Sequence, residues 1–131
     1  MIVVDTNILA YLYLPTDQSS SADALLAADA DWAVPLLWRS EFRNILAGYL
    51  RRGTLTYEAA VSIQDEAESL VAGAEHEVSS RSVLELVRDS DCTAYDCEFV
   101  ALAKALGVKL VTADKKLLRA FPTVAMGFPA V

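Results

Sequence analysis

One histidine, His76, and two cysteines, Cys92 and Cys97, are the whole supply of imidazole and thiol in this 131-residue chain. Catalysis by a pair of histidines is therefore excluded, and so is a thiolate metal site, which needs a spacing of the C-x-x-C kind. The two cysteines have no evident base to activate them and read as structural thiols. His76, within "GAEHEVS", reads as a loop or strand-edge residue. Positive charge is also scarce: 11 Lys and Arg stand against 18 Asp and Glu, for a formal net charge of -7. That balance argues against a protein that grips nucleic acid with its whole surface. It leaves room for a local basic strip or bound divalent cations, which reverse the sign where it matters. No Lys or Arg precedes Arg39, and Asp5 and Asn7 interrupt the apolar start, so the opening residues do not read as a signal peptide. No apolar run reaches the length of a membrane span. The expectation is a soluble, cytoplasmic protein with no membrane association.

What the chain does contain is a globular balance, with 54% apolar and 22% charged residues, in a length that suits one domain over 1–131. Short apolar runs at "MIVV", "WAVP", "VKLVT" and "TVAM", with a weaker one at "EHEVS", have the brevity and β-branched content of buried strands. Between them lie stretches of helical period at about 7–13, 20–29, 36–52, 56–72, 80–89, 94–106 and 115–120. Pro15 and Pro35 fall at element boundaries, and Gly53, Gly73 and Gly107 fall just past helix ends. Alternation of strand and helix predicts an α/β fold: a parallel sheet covered on both faces. Ligands of such sheets collect at the carboxyl ends of the strands. Asp5 follows "MIVV" and Asp114 follows "VKLVTA", so both are expected at that edge.

Two further acids occupy awkward positions. In "LLWRSEFRNILAGYLRR" the apolar stripe runs through Leu37, Trp38, Phe42, Ile45, Leu46 and Tyr49, and Glu41 lies inside it while Arg39 and Arg43 fall opposite. In "CTAYDCEFVALAKALG" the face shared by Phe99, Val100, Ala103 and Leu106 includes Asp96 as its one charged member. Each acid except Glu41 has a purely structural alternative. Asp5 and Asp114 are suited to cap the helices that follow them, and Thr93 with Asp96 resembles a capping box. Jointly, the four are harder to explain by stability. Ionised carboxylates ~5 Å apart at an effective dielectric of ~20 repel by roughly 3 kcal/mol per pair. Either some are protonated, or divalent cations neutralise them. Oxygen ligands without Cys or His suit hard ions such as Mg2+ or Mn2+.

The combination of "MIVVDTN", "SEFRNIL" and "CTAYDCEFVALAKALGVKLVTAD", in this order and over essentially the whole chain, resembles PIN-domain ribonucleases, in particular VapC-type toxins of toxin–antitoxin pairs. The resemblance implies a three-layer α/β/α sandwich with a central parallel sheet of four to five strands. It also implies that Asp5, Glu41, Asp96 and Asp114 form an acidic quartet holding Mg2+ or Mn2+, with Asp5 and Asp96 as the most direct ligands. Thr6, Asn7 and Thr112 match small polar positions that support the site, whereas Asp91 is left without a role. The implied reaction is hydrolysis of RNA phosphodiester bonds by metal-activated water, leaving a 5′-phosphate and a 3′-hydroxyl. Asp114 and Glu41 both remain open as the carboxylate that assists deprotonation. Implied partners are the RNA substrate and a small VapB-like antitoxin that sends a basic side chain into the acidic site. The mean hydropathy of +0.32 adds a homodimer to these expectations.

Contacts to RNA are less well marked. Lys115, Lys116 and Arg119 follow Asp114 and suit phosphates near the metal, or else form a solvated helix face. Tyr11, Tyr13 and Tyr95 suit either base stacking or packing. Two rival functions each lack a residue they need. A haloacid-dehalogenase-like phosphatase also starts with Asp after a strand but needs a second Asp where Asn7 stands. A receiver-like signalling module needs a phosphoacceptor Asp near mid-chain, and residues 42–57 contain no acid.

Overall fold

Each apolar run expected to be a strand becomes one. In the computed structural model, which describes residues 1–128, the strands are Ile2–Val4 (β1), Trp32–Pro35 (β2), Glu75–His76 (β3), Leu110–Thr112 (β4) and Ala125–Gly127 (β5). They form one parallel sheet in the order β3-β2-β1-β4-β5. The register sets Val3 against both Ala33 and Leu110, so β1 is the centre of the sheet. Val3, Val4, Val34 and Leu110 are fully buried, as expected for strands covered on both faces.

The helices are Thr6–Tyr13 (α1), Ser19–Ala28 (α2), Trp38–Arg51 (α3), Tyr57–Leu70 (α4), Ser80–Arg88 (α5), Ala94–Leu106 (α6) and Lys115–Ala120 (α7). The first connections run from β1 out to β2 and then β3; the next returns across the sheet to β4. Because parallel crossovers are right-handed, this reversal puts α1 to α4 on one face and α5 to α7 on the other. The result is the expected three-layer α/β/α sandwich, with five strands. The reversal also opens a crevice at the carboxyl ends of β1 and β4, where the chain leaves in opposite directions.

Local chemistry explains where the elements stop. Gly107 ends α6 in the left-handed conformation, φ 68°, which lets the Val108 N–H reach back to the Ala103 carbonyl at 3.0 Å. Thr93 starts the same helix by accepting from the Asp96 N–H at 3.0 Å. Cys92, just before that cap, and Cys97, at the fourth helical position, are both buried and free, the placement of a hydrophobic staple. Burial pushes the Cys97 thiol above its ordinary range, in keeping with a structural rather than reactive thiol. His76 lies at the edge of the sheet in β3, as read from the sequence.

Helix α3 is fixed at its start by a polar clamp as well as by its apolar stripe. Trp38 and Phe42 are fully buried in edge-to-face contact, ring centroids 5.6 Å apart. The Trp38 indole N–H donates to Glu75 at 2.7 Å, and Arg39 donates to both Glu75 oxygens at 2.6 and 2.7 Å. Arg39 also pairs with Glu68 on α4 at 3.0 Å. The clamp ties α3, α4 and β3 together at the end of α3 that carries Glu41.

Candidate active site

The first of the four acids sits where the sheet ends. Asp5 directly follows the central strand, only 9% exposed, and both of its oxygens are engaged. Oδ1 accepts from the Ile8 N–H at 3.3 Å, which caps α1, and Oδ2 accepts from the hydroxyl of Thr112 at the end of β4. The structural reading of Asp5 leaves room for the functional one: the two hydrogen bonds use two lone pairs, and a carboxylate has about four.

Thr112 is fully buried and joins two acids, because the same oxygen that donates to Asp5 accepts the Asp114 N–H at 3.0 Å. Asp114 in turn caps α7, its Oδ1 accepting from the N–H groups of Lys116 and Leu117 at 2.8 and 3.4 Å. On the other side of the crevice, the Thr6 hydroxyl donates to Glu41 Oε1 at 2.7 Å, linking the first turn of α1 to α3. Asp96 projects from the first turn of α6, the helix that packs on β1 and β2.

Asp5, Glu41, Asp96 and Asp114 all line a single cleft of about 260 Å³. Thr6 and Asn7 share its wall, and Ile45, Phe99 and Leu117 supply apolar surface. Three of the acids hold their protons more tightly than usual. Burial pushes the Asp5 carboxyl up to about 6, with the charges of Asp114 and Glu41 adding to the effect and the Thr112 and Ile8 hydrogen bonds opposing it. Glu41 is raised by burial and then by Asp96 and Glu98, against the Thr6 hydrogen bond. Asp96 is raised by burial and by Asp114, against Thr93 and the Lys116 charge.

The donor set is all oxygen, without a Lys or Arg in the cleft lining, and so fits a hard dication. Among the described residues, no three Asp, Glu, His or Cys side chains are grouped closely enough to hold one ion as they stand. Mg2+ ordinarily keeps several waters and takes one or two carboxylates, so the cleft suits an ion bound in part through water.

The other candidate residues singled out from the sequence do not line the cleft. Lys115, Lys116 and Arg119 are exposed on α7 and do not line the cleft, though the Lys116 charge reaches Asp96. Asp91 is exposed and outside the cleft. Tyr11 stacks on Phe128 at 5.7 Å and Tyr13 donates to the Glu66 carbonyl at 3.3 Å, both packing uses, whereas Tyr95 is 63% exposed. One polar lining residue was missed from the sequence: Asn44, three positions after Glu41 on α3. Helical spacing from Glu41 was the available signal.

A family model for the PIN domain matches residues 2–121. This chain belongs to the PIN-domain family. Ribonuclease VapC3 of Pyrobaculum aerophilum is 30% identical to it over 130 residues, covering 94% of this chain and 96% of the relative. Among solved structures, PAE2754 from Pyrobaculum aerophilum matches with a TM-score of 0.76 at 24% identity, covering 96% of this chain and 89% of that chain. A toxin–antitoxin complex from Klebsiella pneumoniae matches with a TM-score of 0.70 at 18% identity, covering 98% of each chain. At those identities the structural likeness shows the fold. PIN membership removes the basis for the phosphatase and receiver readings. No helix among the described residues is long and apolar enough to cross a membrane.

Proposed function

We propose that this PIN domain is a Mg2+- or Mn2+-dependent endoribonuclease and acts as the toxin of a toxin–antitoxin pair. One observation carries the reading: four carboxylates from four separate elements line one cleft at the switch point of the sheet, and three of them are pushed toward protonation there. Such an arrangement costs stability unless positive charge enters it. The name of the relative, Ribonuclease VapC3, supports RNA as the substrate.

When bound, a divalent ion supplies Lewis acidity toward water and the phosphate, and offsets charge on the leaving oxygen. Asp5, immobilised by Thr112 and the Ile8 N–H, and Asp96, fixed to the start of α6, are the residues that hold it. Glu41, oriented by Thr6, keeps its proton to higher pH than an ordinary glutamate, which suits it to accept the proton of the attacking water. Asp114 completes the set and is the alternative proton acceptor. Asn7 lines the cleft beside Thr6, and Lys115, Lys116 and Arg119 meet RNA phosphates that run past α7.

The partner is a VapB-like antitoxin, a reading supported by the toxin–antitoxin complex among the structural relatives. A cleft lined by acids without a cation of its own is complementary to a basic side chain from such a segment. A homodimer is supported by exposed apolar side chains, Leu36, Leu84 and Tyr95 among them. The cytoplasm is the compartment in which such an RNA target and antitoxin meet.

Cleavage-site mapping on total RNA tests the reading. With Mg2+ or Mn2+ the wild type should cut at defined positions and leave 5′-phosphate ends, and Asp96→Ala should lower the rate by roughly 100-fold or more. Full cleavage in EDTA, or undiminished cleavage by Asp96→Ala, would overturn it.

A further inference from the structure

The cleft contains two carboxamides, Asn7 and Asn44, and the second has no part in the chemistry described above. Asn44 follows Glu41 by three positions on α3, so it extends the Glu41 wall by about one helical turn. The other lining side chains divide into carboxylates, which when ionised only accept, apolar groups, and Thr6, whose hydroxyl proton is directed at Glu41. Asn7 and Asn44 are thus the lining side chains that bring N–H donors to the cleft. Among the described residues, neither side chain makes a hydrogen bond within the protein, and both are exposed. Asn is also a poorer residue than Ala at an exposed position inside a helix, so helix stability does not account for Asn44.

A carboxamide differs from Lys or Arg in two respects that matter here. It carries no charge, so it leaves the acids unneutralised and the cleft attractive to a dication. It also donates and accepts together, whereas phosphate oxygens only accept. The group on an RNA strand that matches both capacities beside every phosphate is the ribose 2′-hydroxyl, which distinguishes RNA from DNA. Ile45, the next residue on α3, offers an apolar surface beside it for the sugar or base.

We propose that Asn44 is a specificity-determining residue whose carboxamide hydrogen-bonds the ribose 2′-hydroxyl of a strand lying in the cleft, favouring RNA over DNA. The inference rests on the nuclease reading and assigns discrimination between sugars to one side chain that takes no part in bond cleavage.

Binding rather than turnover is the readout. Fluorescence anisotropy would measure a labelled single-stranded RNA taken from a mapped cleavage site, and its all-deoxy counterpart, in buffer with Ca2+ in place of Mg2+. The wild type should prefer RNA. Asn44→Ala should weaken RNA binding by about tenfold and leave DNA binding within about twofold, so that the preference largely disappears. Asn7→Ala serves as a comparison from the same cleft. Ala is the better helix former at position 44, and equal melting curves for variant and wild type would establish that the fold is intact.

Equal losses for RNA and DNA, or unchanged RNA binding by Asn44→Ala, would overturn the proposal while metal-dependent RNA cleavage by the wild type still stood. Failure of the wild type to bind or cut RNA would overturn the nuclease reading and this inference with it.

Discussion

Asp5 is both hydrogen-bonded and buried, and the two pull its ionisation in opposite directions. Hydrogen bonds from Thr112 and the Ile8 N–H favour the carboxylate, but burial outweighs them and the carboxyl rises from an ordinary 3.8 to about 6. Between those values the folded protein holds a proton that the unfolded chain has lost. Stability of the metal-free protein should therefore fall as pH rises from about 4 to about 6, by up to ~3 kcal/mol from this residue. Urea titrations in EDTA across that range would measure the slope; a rise in stability would contradict it. Asp5→Asn cannot ionise, so it should raise metal-free stability near neutral pH, flatten this slope and abolish cleavage. Lower metal-free stability with intact cleavage would show that Asp5 is a cap alone.

At the scale of elements, the caps separate stability from function. Thr56 and Thr93 play the same local role, accepting from the Ala59 N–H at 3.1 Å and the Asp96 N–H at 3.0 Å. Replacing either by Ala should cost about 1 kcal/mol in thermal or urea unfolding. Only Thr93→Ala should also slow cleavage, because α6 delivers Asp96 from its first turn whereas α4 delivers no cleft residue. Strand β3 makes a different point. It is two residues long, and "EHEVS" was its weak signal, because backbone bonds to β2 and the Glu75 side chain, which binds the Trp38 indole and Arg39, hold it rather than apolar alternation. Glu75→Ala should cost ~1–3 kcal/mol by leaving a buried indole N–H unpaired. It should also impair cleavage through the altered seating of α3, an effect that assays beside Thr56→Ala would resolve.

For the whole molecule, the prediction concerns charge. A chain with net charge -7 that gathers four acids in one cleft has a built-in demand for cations. Saturating Mg2+ or Mn2+ should raise the melting temperature near neutral pH, with a stabilisation of ~2.7 kcal/mol at a hundredfold excess over Kd. The gain should shrink toward about pH 5, as Asp5 with its raised carboxyl is protonated and competes with metal. Scanning calorimetry with and without metal at both pH values checks this, and a gain independent of pH would count against the carboxylate cleft as its origin.

The alternation of short β-branched runs with helical stretches, punctuated by Gly107 and the Thr and Asp caps, was enough to read the order of strands and helices from the chain alone. These features act over a few residues, so the sequence carries them openly. The anomalous position of Glu41 within an apolar stripe was legible for the same reason. The sharing of Thr112 between Asp5 and Asp114, the reach of Thr6 to Glu41, and the presence of Asn44 on the cleft wall were decided only by tertiary structure. They depend on β1 and β4 being neighbours and on the rotation of α3 against the sheet, which is set by contacts between residues far apart along the chain. Local propensity determined the elements; long-range packing decided which oxygens meet.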